Sequence, residues 1–508
     1  MNRVGIVGAG MSGLYAGLIL QEKGIPFHIF ESQNRVGGRI WTYRFTSDDD
    51  QFFEAGAMRI PYSQRHGIVY ELIKRLNDRV SSDLQIETIP YVLNCSGNRV
   101  FVNASRTPEG RSICLADADS GFLSSESLGF NLPEPYNGQT AQDLLLSVLN
   151  PFLTDLKANF TVGFQKLLRF DDMSFRAYLG SVAKWPQSVI DFVETLCSQT
   201  NQFSLSFAEI VLQHADFSTA DWHTIKNGMD RLPQAMASIL GEENISVNTY
   251  VSGISYSLSG VPSLTVRHKE EVRTFSFQSI ILAIPPASIR AIPIRPRWSP
   301  LKEIAIRSIH VEPLYKIGLR FKTRFWEDAL RVKTPCFGGQ SVTDLPSRWV
   351  VYPSNGIGSK GPGVLILYSW MSDALAHANL TADQRVRLAL SDITRLYEGE
   401  VDVHEEFMEA KDICWAEQWA GGDTMYLPGQ YSALHDALVS PERKVYFAGE
   451  HASFQHTWIS GALESSAKAV QSILQDRLML YMTENPITLR IEPKAASVSE
   501  ACFDPTSR

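Results

Sequence analysis

Cysteine is scarce in this chain: six residues in 508, namely Cys95, Cys114, Cys197, Cys336, Cys414 and Cys502. They are scattered, with no CxxC pair and no metal-like spacing, so neither a disulfide framework nor a metal site organises the fold. Free thiols are the expectation. Long apolar runs are also missing. Ser279–Pro285 and Val364–Tyr368 have the length of buried strands, far short of a bilayer span, and no membrane partner is expected. Nor is there an excess of positive charge: 47 Lys and Arg face 55 Asp and Glu, for a net charge of −8. That balance argues against nucleic acid as a partner. The first apolar run begins at Val4, which leaves no room for a signal peptide, and Pro505-Thr506-Ser507-Arg508 matches no retention or peroxisomal signal. A cytoplasmic location is expected. Five N-x-S/T sequons, at Asn94, Asn103, Asn159, Asn244 and Asn379, leave secretion open.

What is present begins at once. Val4–Val7 is a short apolar run closed by Gly8-Ala9-Gly10-Met11-Ser12-Gly13. Apolar residues then recur at Leu14, Ala16, Leu18, Ile19 and Leu20, and a second run, Phe27–Phe30, ends on Glu31 and Ser32. The pattern predicts strand, glycine turn, helix and strand, one βαβ unit. Gly8 suits the tight turn, Gly10 a close approach to pyrophosphate, and Gly13 close packing of helix on sheet. The helix N-terminus offers unpaired N–H groups to phosphate, and Glu31 can accept from ribose hydroxyls while repelling a 2′-phosphate. Arg35-Val36-Gly37-Gly38-Arg39 follows, adding a second close approach at Gly38 and a phosphate clamp at Arg39. A nicotinamide site has no need of that extension. The two segments together resemble the FAD fingerprint of the glutathione-reductase-like flavoproteins, which makes FAD the expected cofactor.

At 508 residues the chain is too long for one core and predicts two or three domains; 44% hydrophobic and 20% charged residues suit a soluble globular protein. Gly56, Ala57 and Met58 lead to Arg59 and Pro61, small residues suited to backbone lying against a bulky ligand. His66–Leu76 has helical periodicity. Tyr91–Leu93 and Val100–Val102 read as a hairpin around Ser96-Gly97-Asn98. Ala104–Thr140 is polar, without periodicity, and reads as a long surface excursion. From Ala141 to about Trp222 the pattern is helical. Ile245–Val251 and Ser279–Ala283 read as strands. Tyr315–Phe321, Arg348–Tyr352 and Val364–Trp370 alternate with a helix at Ala382–Tyr397 to suggest a mixed sheet. Trp415–Thr424 is an aromatic stretch, Lys444–Glu450 a strand with a glycine turn, and a helix runs from Ser460 to about Met482. From Asn485 the sequence reads as a disordered tail. No internal repeat is present.

Several segments together resemble the flavin-containing amine oxidases: the fingerprint, Gly228-Met229-Asp230-Arg231-Leu232-Pro233, the strand through Lys316, and Tyr446-Phe447-Ala448-Gly449-Glu450 leading to Trp458. Gly56–Pro61 resembles the L-amino-acid oxidase branch. The resemblance implies a mixed α/β fold: a Rossmann-like FAD-binding domain (residues 1–58, 223–297, 412–482), a mixed-sheet substrate-binding domain (59–118, 298–411), a helical insert domain (119–222), and the tail 485–508. It implies oxidative deamination of an L-amino acid to 2-oxo acid, ammonia and H2O2, with hydride passing from Cα to flavin N5 and O2 as the final acceptor. Homodimers are common in the family. Physics supports the branch separately, since a guanidinium is the group suited to a carboxylate, and Arg59 follows a segment expected beside the flavin. The resemblance adds Tyr368 as a second carboxylate donor and Lys316 as the lysine assisting O2 reduction. Trp458 becomes a wall of the substrate cage, and the Thr457 carbonyl an acceptor for the amine. The backbone N–H groups of Thr457, Trp458 and Ile459 would face the pyrimidine. Gly449 and Glu450 would meet the ribitol or pyrophosphate, Val251 the adenine, and Trp415 the flavin ring. His214 loosely resembles a pocket-mouth histidine and, with water, is a candidate acceptor for the amine proton. Tyr368, Trp370 and Trp458 suggest large apolar or aromatic substrates, whereas Asp216 or Asp423 would favour basic ones. Three other readings stand beside this one: a polyamine or monoamine oxidase, an amino-acid 2-monooxygenase, and a non-catalytic FAD-binding protein.

Overall fold

Val4–Val7 (β1) lies between Phe27–Phe30 (β2) and Ser279–Leu282 in a five-stranded sheet whose remaining members are Ile245–Ser246 and Val445–Phe447; every pairing is parallel. The first strand is buried along its length, which is why it reads as a continuous apolar run with no alternation. The helix Met11–Glu22 (α1) crosses from β1 to β2 and packs on the last described helix, Ile459–Glu484. Ser12 Oγ donates to the Ala462 carbonyl at 2.9 Å, and Ser466 Oγ donates to that of Ser12 at 2.7 Å. This computed structural model describes residues 3–219, 221–417 and 421–484. The tail from Asn485 and part of the aromatic stretch, residues 418–420, lie outside the described residues.

A second sheet has seven strands in the order Phe407–Cys414, Leu314–Phe321, Gly363–Trp370, Trp349–Val351, Gln340–Thr343, Arg99–Phe101 and Ile113–Cys114. It is antiparallel except where Gln340–Thr343 meets Arg99–Phe101, so the mixed sheet expected from the sequence is present. Its register places Lys316 directly opposite Tyr368, and Tyr368 opposite Trp349. The helical stretch comprises Ala141–Ala158, Phe160–Leu167, Phe175–Ser181, Gln187–Leu196 and Phe207–Phe217. Thr140, Asn159, Ser174 and Ser206 each cap a helix start by accepting a backbone N–H, which explains the boundaries. No helix among the described residues is long and apolar enough to cross a membrane.

Three expectations are corrected. The hairpin around Gly97 does not form. Tyr91–Leu93 lies in no strand; the preceding Thr88–Pro90 pairs with Trp222–Ile225, while Arg99–Phe101 joins the seven-stranded sheet, so the two strands serve different sheets. Both have the β character of strands, but their partners lie far away in sequence, where local spacing carries no information. The run Ile245–Val251 splits at Val247-Asn248, with Asn248 in a left-handed conformation, and the chain passes from the parallel sheet to a three-stranded antiparallel one with Pro262–His268 and Glu271–Ser276. Ala104–Thr140 is not featureless: Ile113–Cys114 is a strand, and Leu128 packs with Val100, Val102 and Ile113.

Candidate active site

A cavity of about 1900 Å³ opens between the carboxyl ends of the parallel strands, the Lys316 strand and the helical segment. Ligands of open parallel sheets bind at this end. Its cofactor half is built from the βαβ unit. Gly8 takes φ +99°, and a side chain there would strike the Ala283 carbonyl. A Cβ on Gly13 would lie 1.9 Å from the Gly8 oxygen, so Gly13 faces the strand and is the one predicted cofactor position that does not line the cavity. A Cβ on Gly10 would meet only Gly38 Cα, at 4.0 Å, leaving its open side toward the cavity. Gly10 caps α1 without a side-chain hydrogen bond, and no acid occupies the first turn. Unpaired N–H groups at an uncapped helix end beside a cavity form an anion site. Met11, Ser12 and Gly38 line it, as do Glu31 and Ser32, with the Glu31 carboxylate accepting from Ala9 N–H at 2.7 Å and Gln33 N–H at 2.8 Å. Val251 lines the far end. These residues fit a dinucleotide with a pyrophosphate at its centre.

Gly10 and Gly13 therefore make separable predictions. Gly13→Ala is expected to destabilise the fold by about 1–3 kcal/mol, because helix and strand must move apart. Gly10→Ala is expected to leave stability within about 1 kcal/mol yet weaken FAD binding by about tenfold or more. Thermal unfolding and flavin titration of the two apoproteins check this; unaltered flavin affinity in Gly10→Ala would place the pyrophosphate elsewhere.

Arg39 is drawn inward. Its guanidinium donates to the Glu450 carboxylate at 2.7 Å and to the Gly422 carbonyl at 2.9 Å. Burial alone would raise the Glu450 pKa, but Arg39, with His456 and His451 near, holds it to about 2. Glu450 also accepts from Thr424 Oγ1 at 2.9 Å, Thr424 N–H at 3.3 Å and Thr457 N–H at 3.1 Å. Both residues line the cavity, but this carboxylate ties the Thr424 and Thr457 segments together. Thr457 N–H is thus spent on Glu450, and of the three N–H groups expected to face the flavin those of Trp458 and Ile459, at the start of the last helix, remain. Thr457 sits at φ +71°, the turn that presents Trp458 to the cavity. The Trp458 indole N–H is buried and without an acceptor among the described residues; its ring packs on His66, Phe217 and Trp222.

Two side chains fix the backbone of residues 54–56. Lys316 donates to the Glu54 and Gly56 carbonyls at 3.2 and 2.5 Å, and Trp415 Nε1 donates to that of Ala55 at 2.7 Å. Burial lowers the Lys316 pKa to about 7, with Glu54 pulling it up and Arg59 pushing it down. Its ammonium lies 4.6 Å from the Tyr368 ring centroid, as the strand register dictates. Burial raises the Tyr368 hydroxyl further, so it stays protonated and able to donate.

Arg59 is 8% exposed and makes no ion pair with any described residue. Its guanidinium carbon lies 5.2–5.7 Å from the rings of Phe217, Trp222, Trp349 and Tyr91, and it hydrogen-bonds to Gln340 Oε1 at 3.4 Å and to the Tyr91 hydroxyl. Cation–π contacts contribute about 0.5–2 kcal/mol each and do not replace an anion. His214 also lines the cavity; burial lowers it to about 4, and its Nε2 has no hydrogen-bond partner among the described residues. Asp216 does not line it, being bound to Arg65 and His66 at 2.9 and 3.2 Å. Asp423 does, with Glu312 beside it; burial raises both carboxyls, and repulsion adds to it, from Glu450 on Asp423 and from Asp423 on Glu312. The sequence reading missed Gln340, Trp349, Phe217, Trp222, Tyr91 and Glu312. Only Trp349 had a local signal, since strand alternation puts it on one face with Val351.

A family model described as flavin containing amine oxidoreductase matches residues 11–474. The chain is 35% identical over 502 residues to a Dictyostelium discoideum protein named as a candidate bifunctional amine oxidase, covering 93% of this chain but only 46% of that one. It is 30% identical over 477 residues to a Bacillus subtilis protein named as a candidate L-amino-acid oxidase, covering 92% and 94% of the two chains. Among solved structures it resembles cyclohexylamine oxidase from Brevibacterium oxydans, with a TM-score of 0.67 at 19% identity over 94% of this chain and 99% of that one. The chain belongs to the flavin-containing amine oxidoreductase family, and its cofactor is FAD.

Proposed function

We propose that the chain deaminates an L-α-amino acid oxidatively, releasing the 2-oxo acid, ammonia and H2O2. One observation carries the reading: Arg59, a buried guanidinium on the cavity wall with no anionic partner among the described residues, is a site waiting for a carboxylate. The Bacillus relative's name agrees. FAD, which Gly10, Met11, Ser12, Glu31 and Gly38 would hold, would supply the two-electron acceptor for the Cα hydride and the route of those electrons to O2.

The protein's own residues do the rest. Arg59 grips the carboxylate, and the protonated Tyr368 hydroxyl is a second donor, so that Cα is held in a fixed orientation. Trp349, Trp370, Tyr368 and Trp458 form a water-excluding wall that suits a large apolar or aromatic side chain. The substrate ammonium must lose a proton before Cα–H can leave. His214, at about 4, is too weakly basic to take it, which leaves water as its acceptor. Lys316, near 7, supplies a cation where charge develops on oxygen.

The competing reading, an amine without a carboxylate, draws on Glu312 and Asp423 as a cation site. Both are raised toward the neutral form, which weakens that cation site, whereas the Arg59 guanidinium suits a carboxylate, and this favours the amino acid. Anaerobic mixing with L- and D-amino acids, followed by a peroxide assay in air, tests the proposal. Bleaching of the flavin by L-amino acids with stoichiometric H2O2 is expected. Bleaching by simple amines alone, or release of amide and CO2 in place of H2O2, would contradict it.

A further inference from the structure

Behind the Arg59 wall lie two of the six cysteines. Cys95 is half-buried and Cys336 is fully buried, and neither is in a disulfide. Their thiols hydrogen-bond to one another. The loops that carry them are clasped tightly: a Cβ on Gly97 would lie 2.1 Å from the Pro335 carbonyl oxygen. Asn98 joins both cysteines, its Oδ1 accepting from Cys95 N–H at 2.6 Å and its Nδ2 donating to Cys336 Sγ at 3.8 Å. The same Oδ1 accepts from Gln340 N–H at 3.2 Å, and Gln340 Oε1 is the hydrogen-bond acceptor of Arg59. The buried Arg99 donates to Cys336 Sγ at 3.9 Å.

We propose that Cys95 and Cys336 are a peroxide-oxidisable dithiol, with Cys95 attacking and Cys336 resolving to a disulfide that loosens the grip of Arg59 on substrate. The Cys95 thiolate attacks H2O2; a sulfur–oxygen bond forms, the peroxide bond breaks, and hydroxide leaves. The Cys336 thiol then attacks the Cys95 sulfur, forming the S–S bond as the second hydroxide leaves with the thiol proton as water. Sulfur is oxidised, and one peroxide is reduced to two waters. The environment sorts the two roles. The Cys336 hydrogen bond, helped by the N–H groups of Phe337, Gly97 and Asn98 against an opposing effect of burial, holds Cys95 down to about 6, whereas burial raises Cys336. Cys197 lines the cavity itself, yet burial pushes it up to about 12, so proximity to peroxide alone does not select the target. Shortening a thiol–thiol contact to a bond of about 2.05 Å must shift the Asn98 clasp, and with it Gln340.

The oxidant is the H2O2 of the proposed reaction, but the test adds it directly, so its outcome is independent of the substrate assignment. Holoenzyme is treated with a few equivalents of H2O2, alkylated, and mapped by mass spectrometry. The expected result is loss of two alkylatable thiols with a Cys95–Cys336 cross-linked peptide, reversed by dithiothreitol. Cys336→Ser is expected to trap a sulfenic acid on Cys95 that reacts with dimedone. Cys95→Ser should give neither product, and Cys197→Ser should behave as wild type. In the disulfide form KM for the best substrate is expected to rise several-fold and recover on reduction. Cys95 and Cys336 remaining alkylatable while other cysteines oxidise would overturn the site, and an unchanged KM in the cross-linked enzyme would overturn its link to Arg59.

Discussion

Arg59→Met is expected to lower kcat/KM for an L-amino acid by ~10²–10³-fold while leaving FAD bound. Loss of a buried charge-assisted contact costs about 2–5 kcal/mol, and 1.36 kcal/mol is tenfold in rate. Part of the loss should fall on kcat, because the carboxylate contact also aligns Cα. Amines lacking a carboxylate should be nearly unaffected, or gain. Stability should not fall with activity. In the ligand-free enzyme Arg59 is a buried cation whose hydrogen bonds among the described residues go to the neutral groups Gln340 and Tyr91, and removing a buried charge without an anionic partner relieves a desolvation cost. The ring contacts offset part of that relief, so the melting temperature is expected to hold or rise. A variant that melts lower and loses amines and amino acids alike would mark Arg59 as a packing residue. Steady-state kinetics on matched substrates, with a melting curve, separate the two.

Lys316→Met is expected to slow the reaction of reduced enzyme with O2 by ~10²–10³-fold, with a much smaller effect on flavin reduction by substrate. Lys316 also braces the Glu54 and Gly56 carbonyls, so flavin binding serves as the control for a structural effect. The pH dependence has a definite sign. Burial lowers Lys316 to about 7, so the cation is present below that pH and lost above it. The O2 step should therefore be fast at low pH and slow as pH rises through about 7, or somewhat above it once the reduced cofactor's negative charge stands near. In Lys316→Met that dependence should vanish. Stopped-flow oxidation across pH 5–9 reads it directly; a wild-type rate flat across this range would remove Lys316 from the O2 step.

What could be read from residues alone follows the range of the interactions involved. The βαβ unit was legible because its glycines, helix and strands lie within one short stretch and each residue's reason is local. The helical stretch was legible from its periodicity, and the Thr, Asn and Ser caps that fix four of its five helix starts are likewise local. The strand holding Lys316 was also legible, but its register was not, and the register is what sets Lys316 against Tyr368. The ring cage of Arg59 draws on Tyr91, Phe217, Trp222 and Trp349, from three separate parts of the chain, and no spacing rule joins them. Gln340 lies in a four-residue strand with little pattern of its own, paired to Arg99–Phe101 across more than two hundred residues. The supposed hairpin failed for the same reason.

The most direct measurement compares an L-amino acid with the amine formed by removing its carboxylate, at equal side chain, using kcat/KM for peroxide production by the wild-type enzyme. A carboxylate gripped by Arg59 predicts that the amino acid is preferred by at least ~10²-fold. Equal rates, or preference for the amine, would contradict the assignment and turn attention to Glu312 and Asp423.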